Sequence, residues 1–288
     1  MYRHAISRFS FTPLPYLGLY ETLRDLNRLP DAQRILLDGI TKFPDDARLQ
    51  VAYAVTLRRL GDRLASLESL NVVTTKYPRH IPAALERANS LKSLGHDEQA
   101  LAAYEAILEA APYSLQARVA KASLLAISNR FAEAIEVIKE ITADTQVGWR
   151  AENLRALIEL RSGKISDAKK RVERGLETVL FDRERRVLRS TLASILVKEH
   201  SPQSAVEVLK RPDPIDDEIT RIVRLHAAAF LERTAATKAF RDTKDVTGPL
   251  SVIREQIGVQ LGLVKHGPLQ SKGWLEENLQ LAILREVA

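Results

Sequence analysis

Asn27, Gly61, Gly95, Asn129 and Gly163 stand at one fixed interval of 34 residues along this chain. Gly, and after it Asn, tolerates the left-handed backbone that closes a helix, so the row reads as five equivalent helix stops. Five residues after each stop comes a small side chain: Ala32, Ser66, Ala100, Ala134 and Ala168. A small residue one turn into the following helix lets that helix approach its neighbour closely. With 12 Gly and 6 Asn in 288 residues, five stops in a given register arise by chance about once in a million, and about once in a thousand when period and phase are free. Periods of this size mark arrays whose units bury their apolar faces only by stacking on one another.

The interval cuts the chain into repeats 13–46, 47–80, 81–114, 115–148 and 149–182. The third, IPAALERANSLKSLGHDEQALAAYEAILEAAPYS, is the clearest. It predicts a first helix from about Pro82 to Leu94, a stop at Gly95 and a second helix from about Asp97 to Ala110. Ala100, Leu101, Tyr104, Ile107 and Leu108 in the second helix follow the spacing of one buried face. Pro112 ends it, as Pro44 and Pro78 do at the same place in the two preceding repeats. The eighth position of each repeat reads Tyr20, Ala54, Ala88, Ala122 and Ala156, a second small row where paired helices would cross.

These rows resemble the tetratricopeptide repeat, a 34-residue helix–turn–helix unit. The resemblance covers about residues 13–182 and departs from the pattern in places. The aromatic expected at the fourth position appears only as Tyr16, the seventh holds Arg87, Lys121 and Arg155, and Gln146 stands where the terminal proline should recur. The resemblance implies an all-α chain, a right-handed superhelical solenoid of antiparallel helix pairs with about five regular repeats. After Phe181 the phase slips: Pro202 suits a first helical turn and Ala205 is a small residue three positions late. The expected organisation is an N-terminal arm at 1–12, five repeats over 13–182, degenerate helical repeats over 183–248 and capping helices over 249–288. Within the last, helices at about 249–264 and 274–287 flank KHGPLQSKG. Trp274, Leu275, Leu279, Ala282 and Ile283 form an apolar face expected to cap the open end of the last pair, the groove being the other place for it.

Composition narrows the function. Cysteine is absent, which leaves no disulfide, thiolate metal site or cysteine nucleophile. The start MYRHAISRFSFTPLPY lacks the apolar run of a secretion signal, and no apolar stretch reaches membrane-spanning length, so a soluble cytoplasmic protein is expected. The six His (His4, His80, His96, His200, His226 and His266) show no metal-protease spacing, and His226, in an apolar helix, reads as a satisfied histidine of core or surface. Gly262–Gly273 contains Gly, Lys and Ser without phosphate-loop spacing. No catalytic, cofactor or metal site is expected. Of the net charge of +6, most falls between Arg150 and Arg189, where twelve basic residues meet seven acids. That region reads first as a solvated face, then as a surface for an acidic protein, and last as a nucleic-acid site, since few aromatics are interleaved for base stacking.

The resemblance also implies a binding groove lined by the first helix of each repeat, through positions 2, 5, 9, 12 and 13. Position 5 gives Leu17, Val51, Leu85, Val119 and Asn153; position 12 gives Arg24, Arg58, Lys92, Ala126 and Leu160; and position 9 of the third repeat gives Asn89. An aliphatic row beside three cations suits a partner segment that is amphipathic or acidic. Leu17 and Glu21 stand where some family members place a carboxylate-clamping Lys and Asn, so a chaperone-tail ligand is not expected. The expected function is a non-enzymatic scaffold or adaptor that holds a protein or peptide segment in this groove. The alternatives are a regulatory or targeting subunit of an enzyme such as a glycosyltransferase, or nucleic-acid binding through 150–189.

Overall fold

The computed structural model describes residues 11–142, 145, 147–179, 182–210, 217–264, 270 and 273–287, without the side chains of 183, 249 and 284–287. Most of the arm at 1–12, the RPDP stretch, much of the 262–273 loop, Gln146, His4 and His266 lie outside the described residues.

The described residues form sixteen helices and no strand. They alternate as first and second members of eight pairs: α1 (Leu14–Asp25) with α2 (Leu29–Lys42), α3 (Ala47–Arg59) with α4 (Arg63–Lys76), α5 (Ile81–Ser93) with α6 (Asp97–Ala110), and α7 (Leu115–Ile127) with α8 (Phe131–Ile138). Then follow α9 (Gly148–Arg161) with α10 (Ile165–Thr178), α11 (Asp182–Lys198) with α12 (Pro202–Leu209), α13 (Glu218–Ala228) with α14 (Arg233–Arg241), and α15 (Pro249–Gln260) with α16 (Trp274–Val287). The chain divides into two compact units, Met1–Lys121 and Ala122–Ala288, the division falling inside α7.

The row of helix stops is a row of identical hydrogen-bonded turns. Asn27, Gly61, Gly95, Asn129 and Gly163 all have positive φ, between 55° and 96°. At each, the N–H of the stop residue donates to the carbonyl three residues back, and the next N–H donates five back, as Gly95 N–H does to Lys92 O and His96 N–H to Leu91 O, both at 3.0 Å. This is the Schellman closure, which satisfies the carbonyls a helix end leaves open. The sixth pair repeats it at His200, with φ 60° and bonds from His200 N–H to Val197 O and Ser201 N–H to Leu196 O. The slip in phase is thereby explained. Helix α11 has 17 residues where α9 has 14, and those three added residues are close to one helical turn, so the buried face keeps its direction. Ala205 then falls five residues after His200 and is fully buried, as Ala32, Ser66, Ala100, Ala134 and Ala168 are in their pairs.

Helix starts are equally local. The Asp46 carboxylate accepts from Arg48 and Leu49 N–H, Asp62 from Ala65 N–H, Asp217 from Thr220 N–H, and His80 Nδ1 from Ala83 N–H. Pro30, Pro82 and Pro202 occupy first turns, where no N–H is needed. In the first unit the core begins with Tyr16, Tyr20, Leu23, Ala32, Leu36, Leu49 and Ala52. A Cβ on Gly39 would lie 3.1 Å from the Tyr16 ring, so the one aromatic at the fourth position is seated on a residue with no side chain. First helices also touch their successors, α1 against α3 and α3 against α5, while α2 and α4 each pack between two first helices.

In the second unit the first helices α9, α11, α13 and α15 form a similar succession. Helix α16 departs from the expectation of a terminal cap. It packs against α9, α11 and α13 as well as its partner α15, so it lies along the first-helix face of three preceding pairs. An amphipathic helix needs burial but does not specify where.

Candidate functional site

Helices α1, α3 and α5 of the first unit carry most of the groove residues. Leu17, Val51 and Leu85 are half-buried, one on each helix, which leaves part of each aliphatic side chain at the surface. Val119 on α7 is buried, and so is Asn89. Asn89 Oδ1 accepts the Tyr104 hydroxyl at 2.6 Å inside the third pair, and burial raises the Tyr104 pKa so that the phenol stays a donor. Asn89 is thus part of the packing between α5 and α6, a partner that position counting along one helix could not reveal.

The three cations are engaged within the chain. Arg24 lies 5.5 Å over the Tyr20 ring and pairs with Asp25 at 3.0 Å. Burial is the largest single influence and opposes its charge, but the hydrogen bond to Asp25, the attraction of its carboxylate and smaller contributions from Tyr20 together hold its pKa above the usual value. Arg58 pairs with Glu86 on the next first helix at 2.7 Å. Lys92, the third, is half-buried and has an interaction of its own. Position 12 also supplies the carbonyls that close the turns, from Arg24, Arg58 and Lys92 to the N–H of Asn27, Gly61 and Gly95. The ladder expected from the sequence exists as a row of positions, and at Arg24 and Arg58 it carries internal ion pairs.

The basic region is likewise knitted into its own unit. Arg171 forks onto both oxygens of Glu159, at 3.0 and 2.6 Å, and reaches Glu152 at 2.6 Å. The Glu159 bonds are the main reason its pKa stands well above the usual arginine value. Arg155 pairs with Glu152 and donates to the carbonyls of Ile138 and Ile141. Lys169 pairs with Glu199 at 2.6 Å and Arg186 with Asp217 at 3.3 Å. A cavity of about 460 Å³ opens beside this region, with Val206, Leu209, Ala228 and Leu231 on its walls and Arg186, Arg189, Arg224 and Lys238 among its polar residues. Arg224 donates to Leu209 O there.

His226 was read from the sequence as a satisfied histidine. The structure buries it in α13, edge-on to Phe230 with ring centroids 5.3 Å apart, and its Nδ1 has no hydrogen-bond partner. Burial lowers its pKa to about 4.

The feature that position counting missed is the set of contacts around α16. Glu277 pairs with Arg161 of α9 at 3.2 Å, and Glu276 with Lys198 of α11 at 3.7 Å. Leu275, Leu279 and Ile283 are buried along one side of the helix. Two adjacent acids within an apolar i, i+4 series were visible in the sequence, but the cations that meet them lie more than seventy residues earlier.

Residues 85–147 match the tetratricopeptide repeat family model. Over that stretch the chain carries tetratricopeptide repeats. The structure is similar to that of a tetratricopeptide repeat protein from Parabacteroides merdae, with 17% identity and a TM-score of 0.60 over 88% of this chain and 99% of that one. It is similar also to the APC/C hetero-tetramer Cut9–Hcn1, at 16% identity and TM-score 0.66, over 86% of this chain and 48% of that one. A thermophilic repeat protein from Thermus thermophilus shares 20% identity at TM-score 0.57, over 65% of this chain and the whole of that one. At these identities the likeness is one of fold. No curated protein matches the sequence. Tetratricopeptide repeats serve in general as protein-interaction scaffolds, and no described helix is long and apolar enough to cross a membrane.

Proposed function

We propose that this chain is a non-enzymatic scaffold that holds a segment of a partner protein against the first helices of its repeats. The observation that carries the reading is the half-buried aliphatic row Leu17, Val51 and Leu85, repeated on successive first helices α1, α3 and α5. Evenly spaced apolar side chains that are part covered and part exposed suit an amphipathic helix, whose own apolar residues recur every turn. Arg24, Arg58 and Lys92 flank that row, and an acidic edge on the partner would exchange with Asp25 and Glu86 for the first two of them. The charge therefore tunes the choice of partner more than it supplies affinity. Nucleic-acid binding through 150–189 has less support, since Arg155, Arg161, Lys169, Arg171, Arg185 and Arg186 of that region all pair with carboxylates of the chain.

Photo-crosslinking tests the reading. A crosslinking side chain placed at Val51 or Leu85 in the intact chain should capture the partner, and one at Val72, exposed on the second helix α4, should not. Capture from Val72 alone, or equally from all three, would overturn the assignment to the first helices.

A further inference from the structure

Helix α16 sits where a ligand would. In tandem helix pairs the second helix belongs to the layer opposite the first helices, yet α16 packs on four first helices, α9, α11, α13 and α15. Its first turn is held at two points, Glu277 by Arg161 and Glu276 by Lys198. Those two cations occupy equivalent places, each two residues before a left-handed turn residue, Gly163 in one pair and His200 in the next. In the first unit the same places hold Asp25, Arg59 and Ser93, so consecutive cations that both bind a carboxylate on one incoming helix belong to the second unit. Leu275, Leu279 and Ile283 recur at four-residue spacing and are 8%, 1% and 1% exposed, which gives the incoming helix one continuous apolar face.

Three residues of the receiving helices carry buried polar atoms without a partner. Asn153 of α9 is fully buried, and neither its amide oxygen nor its nitrogen has a hydrogen-bond partner. Nη1 of Arg161 and Nδ1 of His226 are buried without partners as well. A closed core pairs such groups nearly always, because each one left bare keeps its full desolvation cost. A face that is uncovered for part of its life lets water satisfy them. The holding acids are themselves half in solvent, Glu276 at 41% and Glu277 at 54% exposed, so the clamp is open to competition.

We propose that the first-helix face of the second unit is a ligand-binding surface which the chain fills with its own residues 274–287, and that a partner helix of the same chemistry displaces α16. That chemistry is two adjacent acids in the first turn and apolar residues at the spacing of Leu275, Leu279 and Ile283. The proposal rests on the scaffold reading and adds to it a resident competitor: the second unit is closed until a helix outcompetes α16. In the exchange an intramolecular helix of high effective concentration is replaced by one in solution, so partner affinity is reduced by the fraction of time α16 is docked.

The probe is a labelled peptide of residues 273–287, titrated into the intact chain and into an intact chain carrying Glu276→Lys, Glu277→Lys and Leu279→Asp, which undock α16. The peptide should bind the undocked chain at least about tenfold more tightly than the wild type, and adding Arg161→Gln with Lys198→Gln, which restores no ion pair to the variant helix, should remove that binding. Equal affinity for both chains, or binding to neither while both stay helical by circular dichroism, makes α16 a fixed part of the fold and overturns the proposal. Hydrogen exchange on the wild-type chain gives an answer that does not depend on the variants folding. Amides of α16 should exchange at least about tenfold faster than those of α9, through local opening; equal protection means that α16 leaves only on global unfolding, and again overturns it. A chain that fails here and still captures a partner through Val51 keeps the scaffold reading and loses this one alone.

Discussion

Gly95→Ala and His200→Gly form a paired test of the turn row, with opposite signs expected. Gly95 has φ +80°, and a Cβ built there meets no atom within 4 Å, so its substitution changes no packing and isolates backbone strain. An L-residue in the left-handed region costs about 1–2 kcal/mol. Ala also restricts the unfolded chain and returns about 0.4–1 kcal/mol. Gly95→Ala should therefore destabilise by roughly 1 kcal/mol. His200 already bears that strain at φ 60° and has an exposed side chain, so Gly there removes strain and costs no buried surface. His200→Gly should stabilise by roughly 0.5–1 kcal/mol, and Asn129→Gly by less, since Asn adopts this conformation more readily. Urea unfolding followed by far-UV circular dichroism reads both. With a slope of about 2 kcal/mol per molar, 1 kcal/mol moves the midpoint by about 0.5 M. A neutral or stabilising Gly95→Ala, or a His200→Gly that lowers the midpoint, would refute the argument that strain at these turns is local and the sixth turn equivalent to the others.

Ala100→Leu and Ala134→Leu, each at a fully buried helix crossing, should lower the urea midpoint by an amount equal to about 1–3 kcal/mol. Tyr104→Phe removes the hydroxyl that donates to Asn89 and leaves a buried amide oxygen bare, a loss of about 1–3 kcal/mol by the same assay. Tyr104 itself should show no phenolate absorbance on alkaline titration until the chain unfolds, because burial raises its pKa. His226 should make stability fall with acid. Its folded pKa of about 4 lies below the ordinary unfolded value, so as pH drops the unfolded state takes the proton first. Its contribution is complete above about pH 6.5 and is lost progressively towards pH 4, by roughly 3 kcal/mol in all. Urea midpoints at pH 7, 5.5 and 4 should show that slope, and His226→Leu should flatten it.

What the sequence determined by itself is everything whose physics is local. A positive φ, a Schellman closure and an aspartate cap each involve residues within about six of one another, so Asn27, Gly61, Gly95, Asn129 and Gly163 announced the turns, and the spacing over 97–110 placed α6 to the residue. The small row worked for a related reason: Ala32, Ala100, Ala134 and Ala168 had to be buried if the helices were to cross closely, whatever lay opposite. Even the slip to His200 was partly visible, as Ala205 arriving three places late, but only the length of α11 explained it. What the tertiary structure decided is pairing at a distance. Composition counted the cations at 24, 58 and 150–189 but could not say that Glu86 neutralises Arg58 or that Glu159 grips Arg171, because a charge meets whichever opposite charge the fold brings near. The apolar face of 274–287 likewise required burial without specifying a place, since the hydrophobic effect is non-directional. Only the folded chain, with Arg161 and Lys198 set two residues before successive turns, placed that face along the first helices, where Glu276 and Glu277 find both cations at once.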